Sequence, residues 1–377
     1  MVRAVLRILA WTRTRRATAA LRQILFLHPR GAALRHAVVN CCLGINHMVT
    51  FGRAPEDALV VLLPTYNDWD ALELLLGDLN RALRSVALAV HVLVVDDASV
   101  EPVSSQFLKN SPCEFSTVSV LRLRANLGHQ RAIAIGLAYV AANLPCRGVV
   151  VMDSDGEDRP AGVVRLLEAC EQQGWRRIIF ASRAKRLEGV TFRVCYRLYR
   201  YTHRLLTGVS VRVGNFSIIP ARYLNYLTTL SDLWNHYAAA VFRSKIPYTD
   251  IPIGRGLRLA GKSKMNFLAL LVHGLSAISV YADLIAVRIS ALAILLVGLF
   301  VLCVGGAFAA KPAGPWFFSF VILFAVVLQA AILSSLAAVI VLTSRNRPTF
   351  LPYRDCPLFI DGVTAIAVYA NHLVPGS

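Results

Sequence analysis

At 377 residues the chain has room for one large domain with appendages, or for two domains. Lys and Arg number 40 against 22 Asp and Glu, a net charge of +18 that points to polyanionic partners: nucleic acid, anionic lipid head groups or phosphorylated substrates. A hydrophobic fraction of 56% and a mean hydropathy of +0.55 are high for a soluble protein and favour a membrane among these partners; nucleic acid ranks last because the basic residues sit largely beside the membrane segments. The eight cysteines form no C-x-x-C pair and no zinc-like cluster with histidine, so they read as reduced structural thiols.

Residues 1–55 contain many arginines, among them Arg3, Arg7, Arg13, Arg15, Arg16 and Arg22, and no acidic residue before Glu56. Three readings stay open for this extension: a basic arm on an anionic membrane, an organelle-targeting peptide, or sequence from an upstream start codon. From Ala58 to about Phe180 strand-like runs alternate with helix-like ones. The runs Leu59–Leu63, Val90–Val95, Val118–Arg122, Val149–Met152 and Ile178–Ala181 read as strands; Trp69–Ser85, Gln130–Ala142 and Ala161–Gln173 read as helices. Near-continuous apolar strands separated by helices predict a parallel sheet covered on both faces, with ligands bound beyond the carboxyl ends of the strands.

Asp96, Asp97, Asp153 and Asp155 all fall at such ends, so one cleft can hold the four. Asp153 and Asp155, one residue apart on an extended chain, share a side and offer oxygen ligands to Mg2+ or Mn2+ bridging to substrate phosphates. Arg131, in the first turn of a helix, is either a phosphate contact at the positive helix end or a solvated helix start. Further along, Arg193, Arg197, Arg200 and Arg204 line one stripe of a helix beside Val194, Leu198, Tyr201 and Leu205. This suits a helix lying in the lipid interface, with Arg197 and Arg200 as candidate contacts for an acceptor phosphate. Asp232, Trp234, Asn235 and His236 form a polar-aromatic patch read as acceptor or sugar contacts.

Ile289–Ala310 and Trp316–Thr343 are each longer than the roughly 20 apolar residues that span a bilayer. Arg288 before the first, and Arg345, Arg347 and Arg354 after the second, predict a hairpin with both outer ends in the cytoplasm. Such a hairpin is an anchor rather than a pore, and it leaves association with further copies open.

Three motifs occur in order: VVLLPTYND at Val60–Asp68, HVLVVDDAS at His91–Ser99 and GVVVMDSDGEDRP at Gly148–Pro160. Together with NLGHQRAIAIGLAY at Asn126–Tyr139 and the R-x-x-G-x-S-K of Arg258, Gly261, Ser263 and Lys264, they resemble glycosyltransferase family 2 with its GT-A fold. Within it the chain is most similar to the membrane-anchored polyprenyl-phosphate glycosyltransferases, the group containing dolichyl-phosphate mannose synthase.

The resemblance implies an α/β GT-A domain that binds a UDP- or GDP-sugar, followed by interfacial helices and two transmembrane helices, and a polyprenyl phosphate acceptor. It implies that Pro64, Thr65, Tyr66 and Asp96, with Asp97 beside it, hold the nucleotide. Asp155 would be the direct metal ligand with Asp153 next to it, and Glu157 would stand near the metal in place of a family Gln. Arg258, Ser263 and Lys264 would close over phosphates. Asn215 stands where relatives often carry an aspartate proposed as a base. Asparagine takes no proton, which favours an already ionised phosphate acceptor over a hydroxyl.

The expected division is a basic extension at 1–55, a catalytic domain at 56–262, a juxtamembrane segment at 263–288, the hairpin at 289–344 and a cytoplasmic tail at 345–377. Rival readings are transfer to another lipid's hydroxyl, and a non-catalytic nucleotide-sugar-binding membrane protein.

Overall fold

The computed structural model describes residues 57–101, 115–183, 201, 204–208, 213–261, 274–310, 316–345 and 350–368. Within it β1 (Leu59–Thr65) runs beside β2 (Val90–Asp96), β3 (Thr117–Leu123) and β4 (Gly148–Val151) as a parallel block. Every residue of β1 and β2 is buried, because both faces of the sheet are covered. On one face Val60, Leu62, Leu93 and Val95 meet α2 (His129–Asn143). On the other, Leu59, Val61, Leu63 and Val94 meet α1 (Trp69–Ala82) and α3 (Pro160–Gln172).

The sheet is mixed rather than parallel throughout. Its order is β7-β5-β6-β4-β1-β2-β3-β8, with β5 (Ile178–Arg183), β6 (Val213–Pro220), β7 (Tyr248–Ile253) and β8 (Ile360–Val368). β6 pairs antiparallel with β4 and β5, and β8 pairs antiparallel with β3. The five runs read as strands, β1 to β5, all run in one sense; the two antiparallel strands, β6 and β8, lie outside those runs. Between β6 and β7 lie the short helices α4 (Leu224–Thr228) and α5 (Tyr237–Arg243).

After β7 the chain enters two long helices, α6 (Ala282–Ala310) and α7 (Trp316–Arg345). Each holds a segment long and apolar enough to cross a membrane, Ala282–Cys303 and Ser319–Val341. These segments are 0% and 6% buried, so their apolar surface faces outward, unlike that of a core helix. They pack on each other through Phe300, whose ring stacks on Phe324 at 5.4 Å, and through Ser290, whose hydroxyl donates to the Ser334 carbonyl at 3.3 Å.

The first helix starts earlier than the apolar run suggests and takes in Asp283 and Arg288. Both are bonded back to the protein. Asp283 accepts two bonds from Arg243, at 2.8 and 2.6 Å, and Arg288 donates to the carbonyls of Leu205 and Leu206 at 3.1 and 2.7 Å.

The segment after the hairpin is no separate tail. Phe350 and Phe359 stack on Trp234 at 4.0 and 5.3 Å, the short helix α8 (Pro352–Asp355) follows Phe350, and β8 then adds to the edge of β3. The hairpin therefore leaves the domain after β7 and returns to it before β8, which puts both its outer ends on the domain's side.

Candidate active site

The site lies where the parallel strands end. β1 carries Pro64 and Thr65 to its last positions, and Thr65 pairs laterally with Asp96 at the end of β2. Thr65 Oγ1 is buried with no partner among the described residues, and Asp96 Oδ1 accepts the Ser99 N–H at 2.9 Å. Tyr66 follows, partly exposed. Asn67, at φ +47°, accepts the Val100 N–H at 2.8 Å and donates its own N–H to Ser99 Oγ at the same distance. The loops after β1 and β2 are thus laced into one wall.

Asp97 does something else. Its two oxygens accept the N–H groups of Leu127 and Gly128 at 2.7 and 2.8 Å, which fixes the entry to α2. Burial pushes its pKa up, against those two bonds. Its carboxylate is spent on backbone, so it positions a loop.

β4 stops at Val151, so Asp153 and Asp155 sit in a turn and not on an extended strand as the spacing suggested. They face different partners. Asp155 Oδ1 accepts the Glu157 N–H at 2.9 Å while Oδ2 meets Arg258 Nη1 at 3.2 Å. Arg258 also pairs with Asp68 and donates Nε to the Ala260 carbonyl at 2.9 Å. Glu157 pairs with Arg255. Asp153 Oδ1 lies 3.1 Å from His129 Nε2, and the Asp153 N–H donates to Asp158 Oδ2 at 3.0 Å. Burial, then the charges of Asp153 and Glu157, raise the pKa of Asp155 against the pull of Arg258. Burial and Asp153 push Asp158 up to about 7.

A polar chain leads away from Asp153. The Tyr237 N–H can only donate, so Gln130 turns Oε1 to it at 2.8 Å and offers Nε2 to Asn215 Oδ1 at 3.1 Å. Asn215 then presents its Nδ2 to His129 Nε2 at 3.0 Å. One ring nitrogen stands between a donor and an acceptor: a proton on it serves Asp153, a lone pair serves Asn215. Burial lowers the pKa of His129, but Asp153, Asp158 and Asp155 outweigh it and the net shift is upward.

Arg131 lies with its guanidinium 5.2 Å over the Trp234 ring, an arrangement that ties α2 to the aromatic cluster. Arg197, Arg200, Ser263 and Lys264 lie outside the described residues, as does most of the Arg193–Leu206 stripe. Asp68, Asp158, Arg255 and His129 join the site although the motif reading gave them no role. Asp68 and Asp158 are inside the quoted motifs, but nothing in a linear string shows that Arg258 reaches back across the sheet to Asp68.

The shifts predict a pH dependence. Between about pH 4 and 7 folded Asp158 keeps a proton that the unfolded chain has released, so stability falls as pH rises through that window. His129, raised, stabilises fully below its unfolded pKa and loses this contribution as pH rises through the folded one, which has the same sign. The melting temperature of the detergent-solubilised protein falls from pH 5 to 8, and Asp158→Asn removes much of the slope. A flat or rising profile would contradict the assignment.

Residues 60–227 match the model of glycosyl transferase family 2. The chain is similar to undecaprenyl-phosphate 4-deoxy-4-formamido-L-arabinose transferases. It is 23% identical to that of Klebsiella pneumoniae (strain 342) over 223 residues, 58% of this chain and 65% of the relative. With that of Erwinia tasmaniensis the figures are 24% over 220 residues, 56% and 64%. The match thus spans a little under two thirds of these relatives' length. Glucosyl-3-phosphoglycerate synthase from Mycobacterium tuberculosis, solved with Mn2+, UDP-glucose and phosphoglyceric acid, aligns with TM-score 0.45 and 15% identity over 61% of this chain and 80% of its own. The match to glycosyl transferase family 2 thus takes in residues 60–227, which run from β1 to β6 of the mixed sheet.

Proposed function

We propose that the protein is a membrane-anchored inverting glycosyltransferase that moves a sugar from a nucleotide sugar, UDP- or GDP-linked, to a polyprenyl phosphate. The observation that carries this reading is Arg258, which reaches from the loop after β7 to Asp155 and Asp68. It brings a cation, the carboxylates and the strand-end wall together on a domain whose chain continues into two outward-facing apolar helices. The named acceptor of the similar transferases, undecaprenyl phosphate, agrees with it.

Asp96 and Thr65, with Pro64 and Tyr66, form the wall for the base. Asp153 and Asp155 offer hard carboxylate oxygens, the donor type that Mg2+ and Mn2+ take. Among the described residues no three His, Cys, Asp or Glu side chains form a ready cage, so an ion held by Asp153 and Asp155 would need further ligands from water or substrate phosphates. A divalent ion bound there would neutralise charge developing on the leaving diphosphate. Arg258 adds a fixed cation beside the same place, with Ser263 and Lys264 expected to join it from the following residues. Asn215, held by Gln130, orients a hydroxyl or phosphate oxygen and takes no proton. The acceptor phosphate is ionised near neutral pH and attacks the anomeric carbon opposite the departing diphosphate, so no base is required.

The hairpin anchors the domain, and the arginines at its outer ends favour the cytoplasmic side for the domain. The basic residues lie beside membrane segments, which favours lipid over nucleic acid as the polyanionic partner. One observation favours a second reading: Asp153 beside His129 Nε2 would steady an imidazole whose other nitrogen could take a proton from a lipid hydroxyl. The test is transfer by the full-length protein in detergent, with Mn2+ or Mg2+, undecaprenyl or dolichyl phosphate and a panel of UDP- and GDP-sugars. Mass spectrometry is expected to find a glycosylated prenyl phosphate. Binding of nucleotide sugars without any lipid product would instead favour a sensor.

A further inference from the structure

Two of the three candidate cation ligands are already neutralised by one loop. Arg255 and Arg258 stand three residues apart in residues 254–261. Arg255 pairs with Glu157, and Arg258 pairs with Asp155 at 3.2 Å and with Asp68. The backbone follows the side chains: the Gly256 N–H donates to the Glu157 carbonyl at 2.7 Å and the Leu259 N–H to the Asp155 carbonyl at 3.0 Å.

Between those carbonyls lies Gly156, at φ +83°, where a Cβ would come within 2.4 Å of Leu259 Cγ. A side chain there would lift the loop away. The loop therefore covers the whole turn from Asp155 to Glu157, and its guanidinium groups stand where a cation would have to approach.

We propose that residues 254–261 form a counter-ion latch. In the resting protein Arg255 and Arg258 hold Glu157 and Asp155, and a divalent cation binds by displacing Arg258 from Asp155. This rests on the reading of Asp153 and Asp155 as the cation site. The physical reason is exclusion between like charges. A divalent ion on Asp155 Oδ2 cannot share that oxygen with a guanidinium 3.2 Å away without losing much of its attraction. The exchange is balanced when a diphosphate arrives with the cation, because the released arginines then face new negative charge. Cation and diphosphate thus share the cost of opening one latch and favour each other's binding. The cation alone binds weakly.

The test uses Mn2+ alone on the full-length protein in detergent, with free Mn2+ followed by electron paramagnetic resonance. Removing the competing charged hydrogen bond in Arg258→Gln tightens Mn2+ binding by about tenfold. Arg258→Lys, which keeps the charge and loses the fork, stays near wild type. Unchanged or weaker Mn2+ binding by Arg258→Gln overturns the latch.

Asp155→Asn separates the two ideas. Loss of Mn2+ binding in this variant keeps the cation site whatever becomes of the latch, whereas wild-type binding removes site and latch together. Hydrogen exchange on the wild-type protein needs no variant. Saturating Mn2+ speeds exchange at the amides of Gly256 and Leu259, and undiminished protection there contradicts the proposal.

Discussion

Asp155→Asn reduces sugar transfer by roughly a thousandfold or more, the scale on which a single preorganised electrostatic group supports a transition state. The substitution is nearly isosteric and removes one negative charge from a turn that also holds Asp153, Glu157 and Asp158. Burial and those neighbours already raise the pKa of Asp155, so the folded protein gives up little by losing this carboxylate. The melting temperature and the membrane-bound fraction are expected to hold steady or rise while kcat/KM collapses. That split matters, because a folding defect would lower all three together. Turnover near the wild-type rate, measured on the same lipid acceptor, would remove Asp155 from the mechanism.

The second large effect concerns stability. Arg243 ends α5 and joins three elements: a bidentate pair with Asp283 in the first turn of α6, Asp232 at 3.3 Å, and the Val280 carbonyl. These side chains are 18–25% exposed, so water screens them only in part. Arg243→Leu takes their shared cation from two carboxylates, Asp232 and Asp283, the second in the first turn of a segment apolar enough to cross a membrane. The expected cost is about 2 kcal/mol, below the range for fully buried pairs that lose one partner. This corresponds to a fall in melting temperature of roughly 5 °C for a domain of this size. Restoring neutrality in Arg243→Leu with Asp283→Asn should recover part of the loss. No change in melting in the single variant would show that the domain and the first helix are held together by other contacts.

Much of the parallel block of the sheet could be read in the sequence, for a physical reason. β1 and β2 are buried along their whole length, largely apolar, and end in Thr65 and Asp96, so these runs and their polar ends stand out from the neighbouring sequence. Pro64 and Asp96, distant along the chain, reach one edge because a parallel block brings its strand ends together.

What escaped was pairing over distance. The reach of Arg258 to Asp68 and of Arg255 to Glu157 depends on a loop folding back over a turn, and no local pattern encodes it. Asp97 is a second example. It sits beside Asp96 in the same motif, yet its geometry spends it on the N–H groups of Leu127 and Gly128. β8 is a third, since Ile360–Val368 carries Asp361, Gly362 and Thr364 and gains its place only by pairing with β3 across the whole hairpin. Asp283 and Arg288 blurred the start of α6, because their partners Arg243, Leu205 and Leu206 are remote in sequence.

The central claim is that a phosphate oxygen, and not a hydroxyl, accepts the sugar. The most direct measurement offers the full-length protein undecaprenyl phosphate and undecaprenol side by side, with one nucleotide sugar and Mn2+, and compares initial rates of glycolipid formation. The account predicts product on the phosphate and none above background on the alcohol, because Asn215 supplies no base. Comparable rates on both acceptors would contradict it and assign proton removal to His129.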